Sequence, residues 1–243
     1  TFHYDVKLVN EQFTLYSDTL RYHTTTKIAN IVGPSDIESD ANHIYSEQGF
    51  YNTASGQAEL LNRSVLSNEG KTLTGDSLFY DRNRGIGEAF GHVVFLDTIN
   101  KNKLSGEYCF YNQLTSYAFA TDKAVATDFS QGDSLFIHAD TWQMFTFHLN
   151  TDSVYREARA FHKVRIYRTD IQGVCDSLVF SSKDSCLTMY RDPILWNKQQ
   201  QLLGEEIMIY MNDSTVDRAH IHNQALTVER IDSVNYNQVT GQD

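Results

Sequence analysis

A short pattern that recurs along the chain limits its possible folds more than any other feature of the sequence. The pattern is a small residue, an acid, and apolar residues at the second and fourth positions after the acid. Six copies satisfy it, at residues 17–22, 75–80, 106–111, 139–144, 175–180 and 204–209, and a weaker copy at residues 39–44 has a polar second position. The acids stand at positions 18, 40, 76, 107, 140, 176 and 205. A spacing that varies this much favours antiparallel strands joined by turns of different lengths over a tightly coiled solenoid.

Apolar and polar residues alternate at period two in and between these copies, which indicates an all-β chain. Residues 81–85 (DRNRG) are typical of a turn, because Asn, Asp and Gly tolerate positive φ or bond their own backbone. A second strand then returns, most clearly at residues 158–166, where the even positions are apolar or neutral. Each repeat is therefore predicted to be a strand, a turn and a strand, stacked on the next repeat.

The organisation of the chain is predicted to be simple. Residues 194–203 are the best helical candidate, although their Gln-rich middle fits a turn between two strands equally well. No linker rich in Pro, Gly or Ser divides the sequence. We therefore expect very little helix and one elongated domain over residues 1–243.

The parity of a β-strand predicts which side chains of the repeats face inward. The second and fourth positions after each acid lie on one face of a strand, and they are apolar in six of the copies. The residues predicted to line a continuous inner surface are Leu20, Tyr22, Leu78, Tyr80, Cys109, Tyr111, Trp142, Met144, Leu178, Phe180, Ile207 and Ile209. The same pattern would arise if these side chains formed a packed core.

Composition narrows the classes of function. Lys and Arg number 20 against 31 Asp and Glu, and the resulting net charge of −11 argues against a general nucleic-acid binder, which needs a basic face to release counterions. No run of 18 apolar residues is present, so no membrane-spanning helix is expected. The chain opens without a charged segment followed by an apolar one, so no signal peptide is visible.

Two segments resemble catalytic motifs. Residues 75–78 and 132–135 both read GDSL, the nucleophile block of an esterase and lipase family, and residues 217–220 (DRAH) have the spacing of that family's base. The first block coincides with the structural repeat, and the helices of that family's α/β fold are missing here. We therefore expect Ser77 and Ser134 to be structural and predict no catalytic residue. An esterase, or a β-helix acting on polysaccharide, is the third alternative.

Metal sites are not predicted either. His220 and His222 share one face of a strand, but no third ligand is evident, so a solvated strand is the favoured interpretation. The recurring acids occur once per repeat, whereas calcium needs several oxygens that converge on one point. Each acid is expected to cap a turn or the start of a strand.

Two further groups leave alternatives open. Cys175 and Cys186 flank a predicted turn, so they could pair across a hairpin in an oxidising compartment or remain free buried thiols. The basic residues of one strand could face lipid phosphates or acidic sugars, but strand alternation already explains them as a solvated outer face. These residues are Arg156, Arg159, Lys163, Arg165 and Arg168.

The repeats resemble the OstA/LptA family. The resemblance lies in recurrent acid-x-Leu-x-Tyr strands, each followed by a turn and an Ala/Gly-rich strand that ends in Val-x-Phe or Val-x-Ile. Residues 75–95 are the best match, and residues 192–196 (DPILW) with the later Gly204 and Glu205 are similar to the larger OstA-like proteins of outer-membrane assembly. The resemblance covers most of the chain, from about residue 13 to residue 229.

The resemblance implies a fold and a role. The fold is an elongated, twisted β-jellyroll of stacked antiparallel strands, open at both ends. The role is lipopolysaccharide transport in the periplasm, after removal of a signal peptide, without a reaction or a cofactor. Acyl chains are then expected in an apolar groove between two sheets. The lining residues expected from parity are Leu20, Tyr22, Leu78, Tyr80, Tyr111, Trp142, Met144, Phe180 and Ile209.

The resemblance also implies partners. They are lipopolysaccharide or a related glycolipid, and other bridge proteins or a second copy that join through unpaired strand edges. The alternative from another functional class is a structural or assembly protein that acts through its open sheet edges and has a packed interior without lipid.

Overall fold

Alternating apolar and polar residues form strands throughout the protein. The computed structural model describes residues 1–9, 13–39, 42–68, 70–130, 132–212 and 215–242. The chain divides into two compact units, residues 1–120 and 121–243. Unit 1 contains β1 (Phe2–Val9), β2 (Thr14–His23), β3 (Ile28–Glu38), β4 (Asn42–Asn52), β5 (Gln57–Asn68), β6 (Lys71–Asp81), β7 (Ile86–Asp97) and β8 (Asn102–Asn112). The boundary falls within β9 (Tyr117–Asp128).

Unit 2 contains the remaining strands. They are β10 (Leu135–Phe147), β11 (Tyr155–Tyr167), β12 (Ile171–Ser181), β13 (Cys186–Tyr190), β14 (Ile194–Asn197), β15 (Gln200–Leu203), β16 (Glu206–Asn212), β17 (Thr215–His222), β18 (Ala225–Arg230) and β19 (Tyr236–Gly241). The paired strands of each unit run antiparallel, which confirms the predicted all-β class. None of the described residues is helical, and residues 194–203 form β14, a turn and β15.

Hairpin turns join the strands in the way that the sequence predicts. The last residue of β4 is Asn52, whose side-chain Oδ1 accepts hydrogen bonds from the backbone N–H groups of Ala54 and Ser55. Asp81 and Asn112 accept equivalent bonds after β6 and β8. Asx side chains thus fix the first part of each turn, and a residue with positive φ closes it.

Most of the long strands change register once near the middle, at a corner. At the corner between β5 and β6, Leu61 pairs with Ser77 and Ser64 pairs with Gly75. Asn62 and Arg63 of β5, both with positive φ, therefore lie opposite the single residue Asp76 of β6. Two residues opposite one is the geometry of a β-bulge, which bends a strand.

The same arrangement recurs at the other corners. Residues with positive φ at 91–92, 162–163, 191–192 and 223–224 adjoin acids of the repeat pattern. In β4, Glu47 lies at the corresponding corner, because Ser46 pairs with Ser35 and Gln48 pairs with Val32 on either side of the register shift. The weaker copy assigned from the sequence has its acid, Asp40, outside the described residues. Five of the acids thus lie at corners within strands, so the expectation that they cap turns or strand starts was wrong for them, whereas Glu205 directly precedes β16.

The corner acids of unit 1 contact the bulge on the neighbouring strand. The Asp76 Oδ2 atom lies 2.9 Å from Nδ1 of His92. The backbone N–H of His92 donates a 3.3 Å hydrogen bond to Oε2 of Glu107 on the other side. One bulge therefore meets a carboxylate on each neighbouring strand.

The corner acids of unit 2 have comparable partners. Asp140 lies 3.5 Å from Nζ of Lys163, and Asp176 lies 3.4 Å from His162 and 3.2 Å from Arg191. Asp140 and Asp176 therefore each have a cation beside them, whereas Glu205 accepts hydrogen bonds from the side-chain amides of Asn223 and Gln224. These pairs are largely exposed, so each stabilises the corner by at most about 1 kcal/mol.

The corners divide each unit into two ladders of paired strand segments. Ladder 1 contains the segments that precede the corner acids, such as residues 71–75 of β6, and ladder 2 the segments that follow them, such as residues 77–81. In unit 2 the later corners are complete breaks, so β13 and β16 belong to ladder 2 and β14 and β15 to ladder 1. Side chains connect the ladders: the ring of Phe13 packs edge-on at 5.0 Å against that of Tyr51, and Trp142 Nε1 donates to the Ile137 carbonyl.

Gly91 is expected to be indispensable to its corner. Its φ is +70°, and a Cβ at this position would collide with the carboxylate of Asp76. We expect Gly91→Ala to lower the free energy of unfolding by about 1–3 kcal/mol, because it adds left-handed strain to a steric conflict. The matched control is Gly87→Ala in the same strand, where φ is not positive and no atom lies within 4 Å of the added Cβ. Urea denaturation that gives equal midpoints for the two variants would contradict this account.

Candidate functional site

The side chains that share a face with the corner acids form rows that run across the strands of ladder 2. The corner row of unit 1 lies nearest the corner and consists of residues paired in register, namely Leu20, Ile31, Gly49, Leu60, Leu78, Ala89 and Cys109. All of these except Gly49 are buried. Similar burial holds in unit 2 for Trp142, Leu178 and Ile207. The corner row is therefore closed to solvent.

The next row outward in unit 1 alternates tyrosine with a small residue, and we call it the tyrosine row. Its members pair in the order Tyr22, Ala29, Tyr51, Ala58, Tyr80, Gly87 and Tyr111. A small residue between two large ones lets each ring spread over its neighbour, which is why Ala29 and Ala58 are buried. Among its tyrosines, Tyr51 is 9% exposed, Tyr22 and Tyr80 are half-buried, and Tyr111 is 44% exposed.

The equivalent row of unit 2 is built from aliphatic, thioether and phenyl groups, and we call it the apolar row. Its members pair in the order Met144, Ala158, Phe180, Leu187, Ile209 and Ala219. Met144 is 41% exposed, whereas Leu187 and Ile209 are buried. The apolar row thus carries no hydroxyl groups where the tyrosine row carries four.

The nine predicted lining residues consequently fall into three classes of solvent exposure. Leu20, Leu78, Trp142 and Ile209 are buried, and Tyr22, Tyr80 and Phe180 are half-buried. Tyr111 and Met144 are exposed. These side chains lie on the rows of ladder 2, and a ligand approaching from solvent reaches only the outer members directly.

Sequence reasoning missed the small residues of the tyrosine row. Ala29, Ala58 and Gly87 lie on the returning strands. These strands lack the acid pattern, so a search for that pattern does not find them. Their signal is a small residue two positions into each returning strand, as in residues 57–60 (QAEL) and 86–89 (IGEA). Glu47 was also missed, because Gly49 replaces the apolar residue two positions after the acid.

Burial shifts the ionisation of several groups away from their ordinary values. Desolvation raises the pKa of Tyr80, so its hydroxyl stays protonated and remains a donor. Desolvation also raises the pKa of Cys109 to about 12 and that of Cys175 to about 12. A raised pKa lowers the thiolate population, which is the opposite of what a nucleophilic cysteine requires.

The other sequence candidates lie on or next to different strands. Cys175 and Cys186 are free, and they do not face each other, because Cys175 pairs with Val164 and Cys186 pairs with Ser181. Ser77 lies in β6 beside a corner. Ser134 precedes β10, which pairs with β11, while His220 lies in β17, which pairs with β16.

Metal-binding groups are not clustered in the described ranges. The rings of His220 and His222 adjoin, with centroids 4.5 Å apart. Among the residues that the structure describes, no three His, Cys, Asp or Glu side chains are placed to hold one ion. Within the same residues, no helix has the length and apolar character needed to cross a membrane.

The basic residues of β11 are partly neutralised by acids. Arg159 forms an ion pair with Glu157 and lies over the ring of Phe145, and Arg168 pairs with Asp170 at 2.6 Å. Lys163 pairs with Asp140 at its corner. Arg156 and Arg165 are exposed. This distribution fits a solvated strand face.

Comparisons with known proteins give one family. The profile described as OstA-like protein matches residues 1–76 and residues 39–134, which together span more than half of the chain. No curated protein matches the sequence. A solved structure that matches is LptH of Pseudomonas aeruginosa, described as the LptA homologous periplasmic component of the lipopolysaccharide transport device. The two chains are 9% identical, and the match covers 70% of this chain and 93% of that one with a TM-score of 0.28.

The three cysteines are expected to be unreactive until the protein unfolds. All three are buried, and at pH 9 a thiol with a pKa of about 12 is ionised in roughly one molecule in a thousand. A chromogenic disulfide reagent should therefore label none of them in native buffer at pH 8 and all three in urea. Rapid native labelling of Cys109 or Cys175 would contradict the burial described here.

Proposed function

This chain belongs to the OstA-like protein family, and on that basis we propose that it is a non-enzymatic, periplasmic protein of lipopolysaccharide transport in outer-membrane assembly. The observation that carries the proposal is the family match over residues 1–134. The acyl chains of the glycolipid would lie along the apolar side chains of ladder 2. No cofactor is needed, because moving a lipid along a row of similar side chains breaks no covalent bond.

The tyrosine row and the apolar row would supply the accessible part of such a groove. Met144 and Tyr111 are exposed, and Tyr22, Tyr80 and Phe180 are half-buried. Leu20, Leu78, Trp142 and Ile209 would form the floor beneath, since they are already buried without ligand. Covering each methylene of an acyl chain contributes about 0.8 kcal/mol, so even a short length of chain along these rows would bind.

Electrostatics supports apolar binding over charge recognition. The chain carries a net charge of −11, which repels an anionic glycolipid. Several of its basic side chains already lie beside carboxylates, including Arg159, Lys163 and Arg168. The affinity proposed here therefore comes from burial of hydrocarbon.

Partners would join at strand edges. In the described part of the chain, β1 pairs along one side with β2, and β19 pairs along one side with β18. Both strands are largely exposed. An unpaired edge can accept a strand from another bridge protein or a second copy of this chain.

A second candidate function is assembly through these edges without lipid. It is favoured by the complete burial of Leu15, Leu20, Ile31 and Leu60, which fill the space beside the corners. A protein whose interior is packed in this way could serve as a structural module. The two candidates differ in whether lipid binds at all.

Native mass spectrometry of the purified protein with and without added lipopolysaccharide tests the proposal. We expect a saturable mass shift that corresponds to bound glycolipid. A ladder of protein oligomers without any lipid adduct would overturn the transport proposal in favour of assembly through edges.

A charged side chain on the apolar row should weaken this binding. Met144→Arg places a cation among hydrocarbon groups, and we expect about tenfold weaker lipopolysaccharide binding because the charge must be desolvated when lipid covers it. The matched control is Phe136→Arg. Phe136 lies in the same strand, is also 41% exposed, and lies on the face opposite the buried Ile137. Equal loss of binding in the two variants, measured by titration, would exclude the apolar row as the site.

A further inference from the structure

Gly87 opens a gap in the tyrosine row of unit 1. It pairs with Tyr80 on one side and with Tyr111 on the other, so its missing side chain would lie between those two rings. A Cβ added to Gly87 would have no other atom within 4 Å. The space above this residue is therefore empty.

The gap is specific to Gly87 among the small members of the row. Ala29 and Ala58 occupy equivalent positions between tyrosines, yet each is at most 1% exposed. Gly87 is half-exposed, and its neighbour Tyr111 is 44% exposed. The tyrosine rings thus cover the two alanines and leave the glycine uncovered.

The width of the gap suits one hydrocarbon chain. Tyr80 and Tyr111 stand two strand spacings apart, which is about 9.6 Å between their backbones. A carbon chain in van der Waals contact with a side chain on each side needs about 7–8 Å between the two flanking groups. The floor of the gap is apolar and closed, because Ala89 and Cys109 of the corner row are buried beside it.

The walls of the gap also carry hydrogen-bond donors. Within the described residues, the hydroxyl groups of Tyr80 and Tyr111 have no protein hydrogen-bond partner, whereas that of Tyr22 lies 3.3 Å from Oγ1 of Thr53. Burial raises the pKa of Tyr80, so its hydroxyl donates at neutral pH. A ligand that combines a hydrocarbon chain with a carbonyl acceptor would match both features of the walls.

We propose that the slot over Gly87, between Tyr80 and Tyr111, is a binding site for one fatty acyl chain, whose carbonyl group accepts a hydrogen bond from a tyrosine hydroxyl. This site rests on the proposed function, since it assigns one acyl chain of the glycolipid to a defined place in unit 1. It differs from the apolar row of unit 2, whose large members offer no hydroxyl donor.

Filling the slot tests the proposal. Gly87 does not have a positive φ, so Gly87→Leu is compatible with the backbone and places its side chain in the open space. We expect this variant to bind lipopolysaccharide about tenfold more weakly, because the leucine displaces about two methylenes of the ligand. Gly132→Leu is the matched control, since Gly132 also has no atom within 4 Å of an added Cβ but lies in the loop before β10, and it should bind like the wild type.

A second variant and a second probe keep the test decisive if leucine perturbs the fold. Tyr111→Ala removes one wall at an exposed position and should also weaken binding about tenfold. A fatty acid that bears a photoreactive diazirine should crosslink to the wild type between residues 78 and 111, and this product should be lost in both variants.

The outcomes separate the slot from the proposed function. Wild-type lipopolysaccharide binding that is unchanged by Gly87→Leu and Tyr111→Ala would overturn the slot and leave the transport proposal standing. Crosslinking at the slot without any lipopolysaccharide binding would support the slot and overturn the transport proposal. If the wild type binds neither probe, or if Gly132→Leu weakens binding as much as Gly87→Leu, the slot is overturned.

Discussion

The corner at which two left-handed residues meet one carboxylate is the constraint on which the rest of the structure depends. A residue other than glycine in this conformation costs about 1–2 kcal/mol, and pairs such as Asn62 with Arg63 and His162 with Lys163 repeat that cost. The carboxylate on the adjacent strand offsets part of it by contacting the side chains of these residues, as Asp76 does with the imidazole of His92 and Asp140 with the ammonium group of Lys163. The recurring acid in the sequence therefore indicates where a strand bends.

This bend decides which side chains solvent can reach. Because the long acid-bearing strands bend at the acid, the residue two positions after it lies near the joint of the two ladders, where Leu20 and Leu78 are covered. The residue four positions after the acid lies farther out, where cover depends on its neighbours, and Tyr111 and Met144 emerge. Residues next to the corner are therefore buried, whereas the exposure of residues farther out varies from strand to strand.

The sequence was sufficient to predict strands and the face on which the apolar residues lie, because both follow from local alternation, and antiparallel pairing, because short turns join successive strands. It was not sufficient to predict exposure. Tyr51 and Tyr111 occupy equivalent positions in the pattern, yet one is buried against Phe13 and the other is open, since the cover comes from residues distant in sequence. The corner in β4 escaped notice for a related reason. Its Gly49 breaks the apolar pattern, although the pairing of Ser46 with Ser35 keeps the register.

Charge and burial together limit how a protein of this kind can hold an anionic glycolipid. The corner acids and several basic residues already lie beside one another, as Lys163 does with Asp140 and Arg191 with Asp176, so these cations are partly neutralised. Under the proposed function the rows would offer hydrocarbon surface instead, and its cover differs from strand to strand, since Tyr51 and Ile209 are buried whereas Tyr111 and Met144 are exposed. A chain that lies along such rows would be held more tightly at some strands than at others, because burial of each methylene contributes free energy. Under the same proposal, the direction of any movement would have to be imposed by the partners proposed at the strand edges, because cover that varies from strand to strand does not by itself drive net transport.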